Sequence, residues 1–304
     1  MNGDGYPDVL TDDPNHHGDL IWYENGGGLH PQFTPHRLDS PSTITVLTIR
    51  VADFNGDHRP DIVVADGEKI TLYLIQNCMS NPVQYTMQVV DYARNLGLQV
   101  ADFNGDGRPD LLFWPIDAAA NEIDWYENLG GDPVSFRRNR IFLEEAGYAM
   151  KVMDVDKDGR PDILVRVSGG LRLLRNNGDN PLTFTESVFA SIADDSVFSI
   201  NDVGDLNLDG KLDLIGTNTG GTSIYWYENP GDPTIPFIPH LIQKTSFEYV
   251  YPLALSDLNG DGGLDLVAIG MWSDGMFRDA YSAMYWYENS PRNGVAPRAW
   301  ALYE

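Results

Sequence analysis

A nine-residue acidic loop recurs six times along the chain, roughly once every fifty residues. Its pattern is Asp-x-Asn/Asp-x-Asp-Gly-x-x-Asp, which places side-chain oxygens at loop positions 1, 3, 5 and 9 and a turn glycine at position 6. Five copies span all nine positions, and the first copy begins at position 2 with Met1. Alternate residues of a tightly curled loop point their oxygens at one centre, and Ca²⁺ is a hard cation that takes oxygen ligands. The repeat therefore predicts up to six structural Ca²⁺ sites.

The predicted ligands are the side chains at positions 1, 3, 5 and 9, completed by the carbonyl of position 7. In loops one to six, numbered in chain order, they are Asn2, Asp4 and Asp8; Asp53, Asn55, Asp57 and Asp61; Asp102, Asn104, Asp106 and Asp110; Asp154, Asp156, Asp158 and Asp162; Asp205, Asn207, Asp209 and Asp213; and Asp257, Asn259, Asp261 and Asp265. Loop two is expected to bind most weakly, because His58 replaces the glycine that takes this turn most easily. Loop one, which lacks its leading aspartate, is also expected to be impaired.

The spacing of the loops predicts the fold. Successive leading aspartates lie 49, 52, 51 and 52 residues apart, a period typical of propellers and solenoids. In each repeat, apolar runs enter and leave the loop, a third run ends in Trp-Tyr-Glu-Asn or a degenerate form, and a fourth follows a turn. Four short antiparallel strands make a propeller blade. We predict one all-β propeller domain with six visible blades, at about residues 1–40, 41–91, 92–143, 144–190, 191–243 and 244–304.

These motifs resemble those of the FG-GAP/VCBS repeat proteins, whose blades are similar to the integrin alpha-chain head and to a fungal lectin built as a calcium-loaded propeller. The resemblance rests on the acidic loop and the Trp-Tyr-Glu-Asn strand, and it covers nearly all of the 304 residues. It implies a fold that hosts adhesion heads, lectins and a few lyases or dehydratases. Function must therefore be argued from sites.

The first repeat has no leading aspartate and no first strand, since Met1 falls at loop position 2. We expect the chain to be a segment of a longer parent with seven or eight blades. The alternative is a six-bladed ring with a defective first blade.

The chain is strongly acidic, with 20 Lys and Arg against 45 Asp and Glu and a formal net charge of -25. Six Ca²⁺ ions would add 12 and leave about -13, so much of the acidity is expected to serve as ligand. Nucleic acids and anionic membranes need Lys and Arg clusters, which we do not find, so we predict neither as a partner. No apolar run approaches the length of a membrane span, so we predict no membrane insertion.

Cys78 is the one cysteine, so metals rather than intrachain disulfides are expected to stabilise the fold. Weak calcium loops, with Kd of about 10⁻⁴ to 10⁻³ M, fill only where calcium is millimolar. This predicts an extracellular or cell-surface protein.

Blade topology separates two faces. In a meandering blade, the loop between strands one and two shares an end with the turn between strands three and four, so the calcium loops are expected on one face. The longest variable segment of the opposite face, 270–284, contains the predicted ligand-binding residues Trp272, Phe277, Arg278, Asp279 and Tyr281. Aromatic rings flanked by Arg and Asp suit sugars or a protein hot spot. The alternative is an insertion that folds over the hub and buries its own rings.

Side chains alternate along the Trp-Tyr-Glu-Asn strand, so its Trp is expected to pack between blades and its Asn to start the turn. His36 and His240 recur at one position of the fourth strand and are predicted to lie on the rim. His16 and His17 form a pair that would suit a transition metal or acid/base chemistry, with a solvated polar loop as the alternative.

Catalysis has little support, because we find no nucleophile elbow, zinc-protease, Walker or Cys-His motif. We therefore predict no catalytic residues and interpret the chain as a calcium-stabilised extracellular module that binds glycans or extracellular proteins. The alternative is a polysaccharide lyase or sugar dehydratase, which would need a base and a cation such as Tyr281 and Arg278, or His16 and His17. A purely structural ectodomain segment is a third interpretation.

Overall fold

The computed structural model describes most of the chain, and every regular element in it is a β-strand. The described residues are 1–6, 8–12, 20–27, 32–38, 48–80, 82–92, 95–115, 121–145, 147–167, 170–191, 197–218, 222–232, 235–244, 249–257, 261–272, 281–289 and 300–303. Within them, no helix has the length and apolar character needed to cross a membrane. The chain divides into two compact units, Met1–Val167 with Leu173–Ser187, and Ser168–Arg172 with Val188–Glu304.

The first three sheets correspond to the first three repeats. Blade one has three strands, β1 (Val9–Asp12), β2 (Leu20–Asn25) and β3 (Phe33–Leu38). Blade two has β4 (Thr48–Ala52), β5 (Asp61–Ala65), β6 (Ile70–Asn77) and β7 (Gln84–Asp91). Blade three has β8 (Asn95–Ala101), β9 (Asp110–Pro115), β10 (Glu122–Gly130) and β11 (Ser135–Phe142).

The remaining sheets follow the same plan. Blade four has β12 (Gly147–Met153), β13 (Asp162–Val167), β14 (Gly170–Asn176) and β15 (Phe184–Ser191). Blade five has β16 (Val197–Gly204), β17 (Asp213–Asn218), β18 (Ser223–Glu228) and β19 (Ile238–Lys244). Blade six has β20 (Tyr249–Ser256), β21 (Asp265–Trp272), β22 (Tyr281–Asn289) and β23 (Trp300–Tyr303). Neighbours in each sheet are neighbours in the chain, which confirms the prediction of antiparallel propeller blades.

Within each compact unit, buried residues of neighbouring blades pack into shared clusters, and some second strands are buried on both faces. All five residues of β5 are buried, and so are all six of β13. Phe54 and Val63 of blade two pack in one cluster with Leu111 and Phe113 of blade three. The outermost strand β11, in contrast, alternates between exposed and half-buried residues. Rigid inner strands therefore fix the positions of the loops at their ends.

Candidate metal centre

In blades two to six, the acidic loop joins the first and second strands, and in blade one it precedes β1. In blades two to six, position 9 is the first residue of the second strand, as Asp61 is in β5 and Asp110 in β9. Loops two to five are described in full, whereas Asn259 of loop six lies outside the described residues. The predicted placement of the loops within the blades is confirmed.

The carboxylate at position 1 organises the curl of the loop. In loop three, the backbone N–H of Asp106 donates to Oδ1 of Asp102 (3.0 Å), and the N–H of Gly107 donates to Oδ2 of Asp102 (2.8 Å). Oδ1 of Asn104 accepts a second bond from the Asp106 N–H (3.0 Å). The same two bonds to position 1 occur in loops two, four, five and six. The side chains at positions 1 and 3 therefore converge on one amide.

This curl requires left-handed backbone at two positions. Position 6 has φ between +65° and +89° in every loop, and His58 supplies it in loop two. Position 4 is also left-handed in each loop where it is described, and two of these residues are not glycine: Lys157 (φ +61°) and Leu208 (φ +59°). Position 4 was not singled out from sequence, although glycine occupies it in four of the six loops.

The aspartate at position 9 is fully buried in blades two to six and joins the loop to the third strand. In blade three, Oδ2 of Asp110 accepts the N–H of Phe103 (3.2 Å), and Oδ1 accepts the N–H of Asn128 (2.7 Å). Equivalent pairs of bonds hold Asp61, Asp162 and Asp213.

Electrostatics at position 9 favour a bound cation. Burial raises the pKa of Asp61, Asp110 and Asp213 to about 6, even though backbone hydrogen bonds oppose the rise. Carboxylates at positions 5 and 1, Asp57 and Asp53 in loop two, raise the pKa of position 9 further. A divalent cation would offset this crowding of negative charge.

Among the described residues, three acidic donors of loop four lie close enough together to hold a metal ion. One carboxylate oxygen from each of Asp154, Asp156 and Asp162 lies within 4.8 Å of the other two, an arrangement that would allow them to share one ion. Loop four differs from the others in carrying aspartate rather than asparagine at position 3. The donor set is all oxygen and largely carboxylate, which fits Ca²⁺ and not a thiolate- or imidazole-bound metal.

Position 7 carries a basic side chain in loops two to five, a feature that sequence reasoning missed. Nε of Arg108 donates to the carbonyl of Asn128 (2.7 Å), while its guanidinium pairs with Asp106 at position 5. Arg59, Arg160 and Lys211 make the corresponding contacts. The fixed spacing of these four cations was the available signal.

The terminal Asn of the third strand ties neighbouring blades together. Nδ2 of Asn128 donates to the carbonyl of Phe54 (3.0 Å), at position 2 of the preceding blade's loop, and to Pro109 of its own loop (3.1 Å). Asn176 bonds Phe103 (2.8 Å) in the same way, and Asn289 bonds Leu206 (2.9 Å). Oδ1 of Asn128 also accepts the N–H of Gly130, so the predicted turn role is confirmed and an inter-blade role is added.

His36 and His240 lie on the outermost strands β3 and β19, as predicted for rim residues, but the side chain of His36 is not exposed there. Its ring is buried, stacks on Trp22 with centroids 4.3 Å apart, and bonds Glu24 (2.9 Å). His240 repeats the arrangement with Trp226 and Glu228. His36 is the cross-strand partner of Trp22, so the indole ring of Trp22 covers the His36 side chain and buries it.

The predicted ligand-binding residues of blade six are only partly described. Trp272 and Tyr281 are cross-strand partners at the ends of β21 and β22, so these strands extend further into the 270–284 segment than expected. Phe277, Arg278 and Asp279 lie outside the described residues, as do His16 and His17.

Two clefts among the described residues lie beside the acidic loops. One of about 490 Å³ is lined by Asp102–Gly105 of loop three, by Asp154 and Arg160 of loop four, and by Gly178. The other, of about 440 Å³, is lined by loop two, by Thr86–Gln88 of β7, and by Gly131–Val134 of the next blade. Both have the volume of small-molecule sites.

Several solved structures are similar to this chain. A lectin of Agrocybe aegerita, described for its specific recognition of non-reducing terminal N-acetylglucosamine, has 17% identity and a TM-score of 0.55, with 91% of this chain and 79% of the lectin covered. S. cerevisiae core factor has 12% identity and a TM-score of 0.51, with 92% and 45% covered. An exo-beta-1,3-galactanase of Phanerochaete chrysosporium has 11% identity and a TM-score of 0.48, with 75% and 58% covered. At such identities the likeness to the lectin and to core factor shows the fold alone.

No curated protein matches the chain. A family model described as FG-GAP-like repeat matches it five times, at residues 1–64, 53–113, 102–165, 154–216 and 205–268. These matches cover most of the sequence and overlap at the acidic loops. The chain therefore belongs to the FG-GAP-like repeat family.

Proposed function

We propose that this protein is a calcium-stabilised binding module that works outside the cell and recognises glycans. The observation that carries the metal part is the convergence of Asp154, Asp156 and Asp162, whose oxygens lie within 4.8 Å of one another. The repeat of the same loop in every blade extends the proposal to the other loops.

Calcium would supply a positive centre that holds each curled loop closed. The chain's own residues do the rest: position 1 gathers the amides of positions 5 and 6, and position 9 anchors the loop to the third strand. In the proposed metal-bound state, six ions would reduce the formal charge from -25 to about -13. Loops of this affinity class fill at millimolar calcium, which supports an extracellular or cell-surface location.

A glycan is the first ligand class to test, for two reasons. The clefts beside the loops have volumes of about 490 and 440 Å³ and mixed polar and apolar walls, which suits a sugar ring. The lectin of Agrocybe aegerita shares the fold and recognises a sugar. An extracellular protein partner is the alternative outcome of the same experiment.

Two surfaces are candidates for the glycan-binding site, and one variant in each surface tests which of them binds. The sequence favours the face of Trp272 and Tyr281, opposite the acidic loops, whereas the described clefts lie on the loop side. Thr86, an exposed residue of β7, lines the cleft beside loop two. Thr86→Arg fills that cleft, and Trp272→Ala removes an aromatic ring from the segment that the sequence favours.

The test is a glycan array probed with the calcium-loaded protein and with the same protein in EDTA. We expect calcium-dependent signals for a defined set of sugars, reduced at least tenfold by one of the two variants. An array without signal, combined with capture of an extracellular protein by the calcium-loaded form, would refute the glycan part and leave the metal part standing. Release of unsaturated sugar products would refute the binding-module proposal in favour of a lyase.

A further inference from the structure

One pair of positions changes together between the blades. The pair consists of loop position 3 and the strand residue that precedes the terminal Asn of the third strand. Four blades combine asparagine at position 3 with Glu on the strand: Asn2 with Glu24, Asn104 with Glu127, Asn207 with Glu228, and Asn259 with Glu288. In blade two the equivalent strand residue is Leu74, because Ile75 makes the backbone contacts that Asn128 makes in blade three. Blade four alone combines an acid with a base, Asp156 with Arg175.

The two members of this pair touch in blades one and four, with opposite polarity. In blade one, Nδ2 of Asn2 donates to Oε1 of Glu24 (2.9 Å). In blade four, the guanidinium of Arg175 donates to Oδ2 of Asp156 and lies 3.9 Å from Asp158 at position 5. The strand residue is thus the acceptor in one blade and the donor in the other.

The exchange keeps the charge around loop four close to that of loop two. Loop four carries four aspartates, and Arg160 and Arg175 contact them, which leaves a formal charge of -2. Loop two carries three aspartates and one contacting arginine, Arg59, which also leaves -2, because its equivalent strand residue is the uncharged Leu74. The extra carboxylate of loop four is therefore matched by an extra cation.

We propose that Arg175 is a charge-compensating residue of the loop-four metal site, which offsets the charge of Asp156, so that loop four binds calcium about as strongly as the loops that carry asparagine at position 3. This inference rests on the proposed function, because it concerns a site that calcium must occupy. Calcium loops are tuned by the number of charged ligands and by their rigidity, and groups that orient a ligand affect metal affinity. Arg175 is half exposed, so its replacement removes the charge without opening the core.

The test is a charge-balanced cycle in the full chain. Arg175→Gln leaves the fourth carboxylate without its offsetting charge. Asp156→Asn leaves the arginine beside a donor set with one carboxylate fewer. The double variant has an uncharged pair at the two positions, as blade two has with Asn55 and Leu74. Calcium occupancy is refined loop by loop in crystals equilibrated at graded calcium concentrations. Loop three serves as the internal reference in every crystal.

We expect the half-occupancy concentration of loop four to fall about fivefold in Arg175→Gln and to rise about tenfold in Asp156→Asn, as a unit charge near a divalent ion would produce after screening. The double variant should return to within about threefold of the original chain, and so should the rescue variant Arg175→Lys. Arg175→Gln should also lower the melting temperature in EDTA, because Asp156 then lacks its ion-pair partner.

Arg175→Gln should therefore raise the calcium affinity of loop four while it lowers the stability of the metal-free protein, and this combination distinguishes charge compensation from a structural role. A pair with only a structural role would lower stability and calcium affinity together, and that result overturns the inference. So does a double variant that stays far from the original chain. Calcium at loop three with no response at loop four rejects this inference and leaves the proposed function intact, whereas the absence of calcium from every loop rejects both.

Discussion

His58 offers a direct test of whether position 6 of the acidic loop needs a left-handed backbone, because its backbone is strained and its side chain is almost fully exposed. Its φ is +65°, while the side chain is 97% exposed and approaches Asp53 at 3.8 Å. A left-handed conformation costs an L-residue roughly 1–2 kcal/mol. Glycine avoids this cost but loses about 0.5–1 kcal/mol through the greater freedom of its unfolded chain. His58→Gly should therefore stabilise the protein by about 0.5–1 kcal/mol, since no packing is lost.

The reciprocal change in loop three is a matched control. Gly107 has φ +83°, and a Cβ placed on it would meet no heavy atom within 4 Å. Gly107→His therefore adds only backbone strain, and it should destabilise by a similar amount.

Thermal melts in saturating calcium should show shifts of about 1–2 °C in opposite directions for the two variants. The calcium half-saturation of loop two should also improve in His58→Gly. A lower melting temperature for His58→Gly, or no effect of Gly107→His, would refute the argument that position 6 needs left-handed backbone.

Two further predictions concern the links around the loops. Asn176→Ala removes the two hydrogen bonds from Nδ2 of Asn176 to the carbonyls of neighbouring loops. In a denaturant titration it should lower the free energy of unfolding by about 2–3 kcal/mol. The matched control, Asn177→Ala at the exposed neighbour, should lower it by less than about 1 kcal/mol. Equal losses for the two variants would contradict the inter-blade role. The metal-free protein should become more stable as pH falls from 7 to 5. Asp61, Asp110 and Asp213 have folded pKa values of about 6, so they take up protons before their unfolded counterparts do, and the stabilisation is lost as pH rises through 6. The calcium-loaded protein should become less stable as pH falls, because protons then compete with the ion for the same carboxylates. Melting temperatures measured at pH 7 and pH 5, in EDTA and in calcium, test both expectations. The same change with pH in both conditions would contradict the assignment of these aspartates as calcium ligands.

Features encoded within one repeat could be predicted from sequence. The loop residues are close in the chain, so spacing alone indicated that positions 1, 3 and 9 would meet, as Asp154, Asp156 and Asp162 do. The fifty-residue period indicated the blades, because a strand of a few residues can pair only with its sequence neighbours over such short turns.

Contacts that join distant parts of the chain could not be predicted in the same way. Asn128 donates to the carbonyl of Phe54, 74 positions away, and no local pattern distinguishes that role from a turn. The burial of His36 depends on the Trp22 ring of the adjacent strand, whereas its place on the outermost strand alone suggested an exposed rim residue. Lys157 and Leu208 have a left-handed backbone that L-residues disfavour. The hydrogen bonds from positions 5 and 6 to the carboxylate of position 1 fix the loop conformation and so hold these residues in it.

The central claim is that calcium bound in the acidic loops stabilises the blades. The most direct measurement compares thermal melts of one preparation in EDTA and in millimolar calcium, with calcium binding followed by calorimetry on the metal-free protein. A site filled at about 100 times its Kd contributes about 2.7 kcal/mol. Several such sites should raise the melting temperature by at least about 10 °C, with more than one calcium bound per chain. Melting temperatures that agree within about 2 °C, with no heat of calcium binding, would contradict the account.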